Sequence, residues 1–123
     1  MYSFRFFLVI IFLISISSCS KEQKEISLIK ESNQNLEMIS AYREGYEALT
    51  KNDPYFAAKK FLEAELLFPQ SEWAPRSSLM ASYSYYMQNF YAEALSNLER
   101  FIKTYPSDSN ISYVHYLISI CYY

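Results

Sequence analysis

The sequence predicts an all-α solenoid of helical hairpins, and three observations carry that reading. A pattern of residue types recurs at a distance of 37 residues: Ala57, Phe61, Ala64, Phe68 and Pro69 are matched by Ala94, Leu98, Phe101, Tyr105 and Pro106. Within each set, steps of three and four put the small and large apolar residues on one helix face. A proline closes each copy, and no strand-like alternation separates them. Units of this kind bury a core only by stacking on their neighbours, and stacks of them usually bind rather than catalyse.

A first helix is expected over 35–50, because Leu36, Ile39, Tyr42, Tyr46 and Leu49 recur at three- and four-residue steps. Lys51-Asn52-Asp53-Pro54 breaks it, and Pro54 suits the first turn of a second helix that ends near Leu67. Ser71 is the candidate cap of a third helix over 72–88, with Pro75 in its first turn. Gln88-Asn89 is a tight corner, and a fourth helix covers 91–104 before Pro106. Ser107-Asp108-Ser109-Asn110 then leads into a fifth helix from Ile111. Ala57, Phe61, Ala64, Ala94, Leu98 and Phe101 are the expected core. Gly45 inside the first helix costs about 1 kcal/mol against alanine, which close approach of the paired helix would offset.

The beginning of the chain follows different rules. Residues 6–16 are almost uninterruptedly apolar, too short to span a bilayer, which takes about 20 apolar residues. The run has the length of a secretory signal peptide core. Ile16-Ser17-Ser18-Cys19 after it resembles a bacterial lipobox, in which the cysteine receives lipid and becomes the new N-terminus. By that resemblance residues 1–18 are a lipoprotein signal peptide and Cys19 carries a covalent lipid. Ser20, which is not acidic, then points to the outer membrane. One acyl chain anchors only marginally, so a multiply acylated cysteine is what makes attachment stable. Residues 19–33 read as the lipidated cysteine and a polar tether, and 34–123 as the repeats.

Tyr122 and Tyr123 stand 37 residues after Tyr85 and Tyr86, so the chain ends within the first helix of a third repeat. Solenoids need about three repeats and a polar cap. The expectation is therefore an N-terminal fragment of a longer protein, with about two and a half repeats and marginal stability by itself.

The order Gly45, Ala57, Phe61, Ala64, Pro69, and again Tyr85, Ala94, Leu98, Phe101, Pro106, resembles the tetratricopeptide (TPR) pattern with longer connections. Three strings narrow it: Phe68-Pro69-Gln70-Ser71-Glu72-Trp73-Ala74, Arg100-Phe101-Ile102-Lys103-Thr104-Tyr105-Pro106, and Asn110-Ile111-Ser112-Tyr113-Val114-His115-Tyr116-Leu117. With the lipobox, they resemble the BamD (ComL) family of outer-membrane protein assembly lipoproteins. One departure is Ser109, near where a second proline after Pro106 is expected. The resemblance implies a lipid-anchored protein on the periplasmic face of the outer membrane. Its implied partners are BamA, the other Bam lipoproteins and unfolded outer-membrane proteins. It further implies that C-terminal repeats dock on BamA and N-terminal repeats engage substrate targeting segments.

In such a stack the first helix of each hairpin lines the concave surface. Stepping along those helices gives Tyr42, Tyr46 and Leu49, then Arg76, Leu79, Tyr83 and Tyr86, then Tyr113, Tyr116, Ile120 and Tyr123 as groove candidates. Tyrosine offers a flat apolar face and a hydroxyl at low entropy cost, which suits an extended, aromatic-bearing peptide. Arg76 could meet a terminal carboxylate. The alternative is that half of these tyrosines pack against the second helices.

Other classes find little support. No basic stripe accompanies the net charge of −2, so nucleic acid is not an expected partner. His115 is the only histidine and has no partner at metal-ligand spacing, so neither a metal nor a cofactor is expected. No glycine-rich phosphate loop exists. Glu63 and Glu65 cannot share a helix face and read as solvated charges. Cys121 reads as a small core residue. An enzyme is therefore not expected. The rival reading is another lipid-anchored periplasmic TPR scaffold that regulates peptidoglycan synthesis or proteolysis.

Overall fold

Residues 23–123 are described by the computed structural model, as five helices in chain order. These are α1 (Gln23–Thr50), α2 (Pro54–Leu67), α3 (Trp73–Met87), α4 (Tyr91–Thr104) and α5 (Ile111–Cys121). The described residues contain no strand, as an all-α, TPR-like fold requires. The signal peptide and Cys19 lie outside them. The packing that follows is that of the compact unit Ser32–Tyr123.

Helix α1 begins at Gln23, well before the expected start near residue 35, and takes in residues 23–33 of the segment read as a tether. Its early part, residues 23–33, carries Gln23, Lys24, Glu25, Leu28, Lys30 and Glu31 and has no Gly or Pro. These residues have high intrinsic helix propensity, so the helix extends beyond its packed end. That end is buried through Met38, Ala41 and Ala48, whereas Leu36, Ile39 and Tyr46 of the expected periodic set are exposed.

Two asparagines close the hairpin corners. Asn52 and Asn89 adopt left-handed backbone, with φ of 59° and 60°. The Asp53 N–H donates to the Ala48 carbonyl at 2.9 Å and the Asn52 N–H to Leu49 at 3.0 Å. The same pair of bonds recurs from Phe90 to Tyr85 and from Asn89 to Tyr86, both at 3.0 Å. This is the Schellman arrangement, which satisfies the last carbonyls of a helix. Asparagine tolerates the left-handed region better than other non-glycine residues. After the first corner, Asp53 caps α2 by accepting from the Phe56 N–H at 3.1 Å, and Pro54 opens the helix.

Ser71 does not cap α3. Its hydroxyl donates backwards to the Phe68 carbonyl at 2.8 Å, and Glu72, already helical in backbone, occupies the cap position without a side-chain bond. The hydroxyl is used to close the α2–α3 turn.

Helices α1 and α2 run antiparallel. Ala48 shares a core cluster with Ala57, Gly45 meets Phe61, and Met38 and Ala41 cluster with Ala64. These partners recede from the corner in both directions, as an antiparallel hairpin demands. A Cβ on Gly45 would lie 3.0 Å from the Phe61 ring, so the glycine is there for close approach. A second cluster joins Ala94, Leu98 and Phe101 of α4 to Val114, Leu117 and Cys121 of α5. All six expected core residues are fully buried. Cys121 is buried and free, and burial pushes its thiol pKa up.

The two hairpins are joined by a polar network. Glu65, expected to be solvated, is 4% exposed, whereas Glu63 is a surface residue paired with Lys60. Arg100 donates from Nη1 and Nη2 to the two Glu65 oxygens at 2.7 and 2.6 Å, and the Tyr105 hydroxyl donates to Oε1 at 2.8 Å. Arg100 also donates to Ser78 Oγ at 3.0 Å and to Asn97 Oδ1 at 2.7 Å. Asn97 Nδ2 in turn donates to the Ser78 carbonyl and to Ser82 Oγ. Helices α2, α3 and α4 thus share one set of satisfied buried groups.

Candidate functional site

Helix α3 is two-faced. Ser78 and Ser82 turn to the buried network, while Arg76, Leu79, Tyr83 and Tyr86 lie on neighbouring stripes. A half-polar face against the core frees the other side to meet α1 and α5, which is how the groove candidates are brought together.

At one end, Tyr42, Arg76 and Leu79 line a cavity of about 560 Å³ with Glu72, Pro75, Met80 and the Asp108–Asn110 turn. Tyr42 is half-buried. Its ring packs edge-on against Phe61 at 5.2 Å and against Trp73 at 5.1 Å, so it wedges α1 between α2 and α3. Burial raises the Tyr42 pKa, and nearby Arg76 opposes that rise. The Arg76 guanidinium lies 5.2 Å over the Trp73 ring, a cation–π contact that holds its flat face and leaves its edge donors directed elsewhere. Asp108, the acidic neighbour on the turn, accepts from the Asn110 N–H at 2.8 Å and from Asn110 Nδ2 at 2.9 Å. Tyr46 is exposed one turn further along α1 and does not line the cavity.

At the other end, α3 and α5 contribute four tyrosines. Tyr83 and Tyr86 are half-buried against the Val114–Leu117 core, while Tyr113 and Tyr116 are 43% and 58% exposed. The Tyr113 and Tyr116 rings stand 6.1 Å apart. Tyr86 also lies 5.9 Å from Tyr91 at the α3–α4 corner. The Tyr113 phenol is held above its ordinary pKa by burial first, then by the neighbouring phenols of Tyr83, Tyr116 and Tyr86.

Leu49 and Ile120 instead pack on core clusters. Trp73 and Met80 were missed as site residues. Trp73 stands three residues before Arg76 on one helix, a spacing that brings side chains together and was legible. Met80 carries no such signal. Among the described residues, no group of His, Cys, Asp and Glu could hold a metal, and no helix is long and apolar enough to cross a membrane.

Comparison with known proteins agrees with this architecture. A family model described as "YfiO: Outer membrane lipoprotein" matches residues 34–123. A protein of Caulobacter vibrioides named Outer membrane protein assembly factor BamD is 37% identical over 109 residues, covering 89% of this chain and 35% of the relative. The protein of that name from Rickettsia prowazekii is 34% identical over 95 residues, covering 76% and 38%. That from Xylella fastidiosa is 25% identical over 104 residues, covering 85% and 34%. The chain spans about a third of the length of these curated relatives. No solved structure matches at a significant level. The repeat, the helical hairpins and these matches lead to one conclusion: the chain belongs to the YfiO family of BamD-type outer membrane lipoproteins.

Proposed function

We propose that the chain is a non-enzymatic lipoprotein component of the outer-membrane β-barrel assembly (Bam) complex. Its lipid is attached at Cys19 and holds it to the periplasmic face of the outer membrane. Its helical repeats bind extended segments of unfolded outer-membrane proteins and scaffold their insertion, together with BamA and the other Bam lipoproteins. The observation that best supports this is the aromatic face of α1, α3 and α5. Tyr42, Arg76 and Leu79 meet around a cavity at one end, and Tyr83, Tyr86, Tyr113 and Tyr116 gather at the other. Rings with accessible hydroxyls suit strands that alternate apolar and aromatic side chains with polar ones. The name carried by the relatives, an outer membrane protein assembly factor, supports the same setting.

The experiment is an affinity pull-down of the lipidated protein from detergent-solubilised outer membranes, read by mass spectrometry. Recovery of BamA with its companion lipoproteins is the expected result. Recovery of murein synthases or proteases without BamA overturns the assembly role in favour of a general TPR scaffold. Cys19→Ala is expected to release the protein from the membrane fraction.

A further inference from the structure

The cavity at the Tyr42 end of the groove carries charges of both signs on its wall. Arg76 lines it together with Glu72, one turn earlier on α3, and Asp108 of the α4–α5 turn. Glu72 and Arg76 stand in the i,i+4 order, acidic residue first, that pairs best on a helix. Yet no salt bridge joins Arg76 to either carboxylate among the described residues, whose ion pairs gather at Lys60 and Arg100. Arg76 lies over the Trp73 ring at 5.2 Å instead. Asp108 accepts from Asn110 through Oδ1 alone, and its second oxygen takes no hydrogen bond among the described residues.

The wall therefore holds one cation and two anions that do not neutralise one another, and Tyr42, Pro75, Leu79 and Met80 supply its apolar part. A volume of about 560 Å³ is that of a ligand site, with room for more than one functional group. A peptide end brings a carboxylate to such a wall. Arg76 attracts it, while Glu72 and Asp108 oppose a second negative charge beside it and attract a positive one. Selection of this kind works through the repelled competitor as much as through the favoured ligand. We propose that Glu72 and Asp108 are specificity determinants of the groove. They select peptide ends with a lysine or arginine side chain beside the carboxylate that Arg76 receives, and they reject ends with an acidic one. The inference rests on the peptide-binding reading of the groove and adds which peptides this end admits.

The test is fluorescence anisotropy on the full chain with labelled nine-residue peptides of alternating apolar and polar residues, each with a free C-terminus. Three peptides differ at their last two polar positions, which are Lys, Gln or Glu. A fourth carries its two lysines at the first polar positions instead. The unaltered chain is expected to bind the Lys peptide about tenfold more tightly than the Glu peptide at low ionic strength, with the Gln peptide and the fourth peptide between them. Glu72→Gln and Asp108→Asn are each expected to cut that preference to about threefold, and the double variant to abolish it. Glu99→Gln, which removes an exposed carboxylate outside the cavity, keeps the full preference. Thermal melts followed by circular dichroism confirm that each variant is folded. Equal binding of the Lys and Glu peptides overturns the inference and leaves the groove standing. A preference that survives in the double variant, falls equally in Glu99→Gln, or is matched by the fourth peptide also overturns it, because net charge is then doing the selecting. If the chain binds none of the peptides, the peptide-binding reading itself falls and the inference with it.

Discussion

Arg100 meets Glu65 edge to edge, two parallel bonds of 2.7 and 2.6 Å joining residues of successive hairpins. The arginine is 44% exposed but the carboxylate is nearly sealed. Removing the arginine therefore strands a charge that water barely reaches. Arg100→Met is expected to cost about 2–3 kcal/mol, just under the cost of about 3–5 kcal/mol for breaking a fully buried pair, because solvent reaches the arginine. The double variant Glu65→Leu with Arg100→Met is expected to recover more than half of that loss. Urea unfolding of the unaltered chain, Arg100→Met and the double variant reads it directly, and a double variant no better than Arg100→Met alone would contradict the account.

Tyr105 links the same carboxylate to alkaline stability. Its pKa is raised well above 10, first by burial and then by the hydrogen bond to Glu65. The unfolded phenol ionises near 10 and the folded one at higher pH. Its contribution is therefore complete below pH 10 and is lost as pH rises from there toward the folded value. Thermal melts between pH 9 and 11 are expected to show a smaller alkaline loss for Tyr105→Phe than for the unaltered chain.

Gly45 and Phe61 form a lock whose sign can be reversed. Alanine at 45 would gain about 1 kcal/mol of helix propensity, but overpacking a core costs about 1–3 kcal/mol. Phe61 is fully buried and edge-packed on Tyr42, so its ring cannot retreat. Gly45→Ala is expected to lower stability by about 1 kcal/mol, the balance of these effects. With Phe61→Leu already present, the same change should become neutral or stabilising. A melting temperature that falls equally in both backgrounds would show that the ring is not the obstacle.

At the corners, Asn52→Gly and Asn89→Gly are expected to leave stability within about 0.5 kcal/mol, because glycine accepts positive φ freely. Asn52→Val is expected to cost about 1–3 kcal/mol, the strain of a β-branched residue held there. Chemical denaturation of the three variants distinguishes backbone strain from any side-chain role of the asparagines.

Arg76 gives the groove reading a sharper test. A peptide with a free C-terminal carboxylate is expected to bind about fivefold or more tightly than its amidated form, the worth of a charge-assisted bond. Arg76→Gln should erase that preference while leaving the amidated peptide unchanged. A preference that survives in the variant would move the carboxylate away from the Tyr42–Trp73–Arg76 end.

The acid side follows the Lys60 ammonium, which bridges Glu44 of α1 at 2.8 Å and Glu63 at 2.9 Å. The hydrogen bond and charge of Lys60 hold the Glu44 pKa below 4.5. That contribution is present above pH 4.5 and is lost as pH falls through the folded value. Lys60→Met is expected to flatten the stability profile below pH 5, as seen in urea midpoints.

Much of the fold was legible because its signals are local. The bounds of α2 and α4, the corners and the six core alanines, leucine and phenylalanines all follow from breakers and a three-four periodicity that one helix reveals by itself. The start of α1 was misplaced for a related reason: apolar periodicity marks where a helix packs, and a run of good helix formers continues past that point. Ser71 was misread because a serine before a helix can serve the turn behind it as well as the turn ahead. Glu65 was misread because its partner is 35 positions away on another helix, and no sequence pattern reports that neighbour.

By itself, the sequence determined that this protein is a stack of helical hairpins with a repeating core, and which residues form that core on α2 and α4; on α1 the periodic Leu36, Ile39 and Tyr46 are exposed and Met38, Ala41 and Ala48 face inward. Only the tertiary structure decided which inward faces meet. It divided the tyrosines into a wedge at Tyr42, a strut at Tyr105 and an unpartnered cluster on α3 and α5. The physical reason is that periodicity specifies a direction from one helix axis. A contact also needs the position and rotation of the second helix, and those are set jointly by close packing at Gly45, the left-handed corners and the network around Glu65.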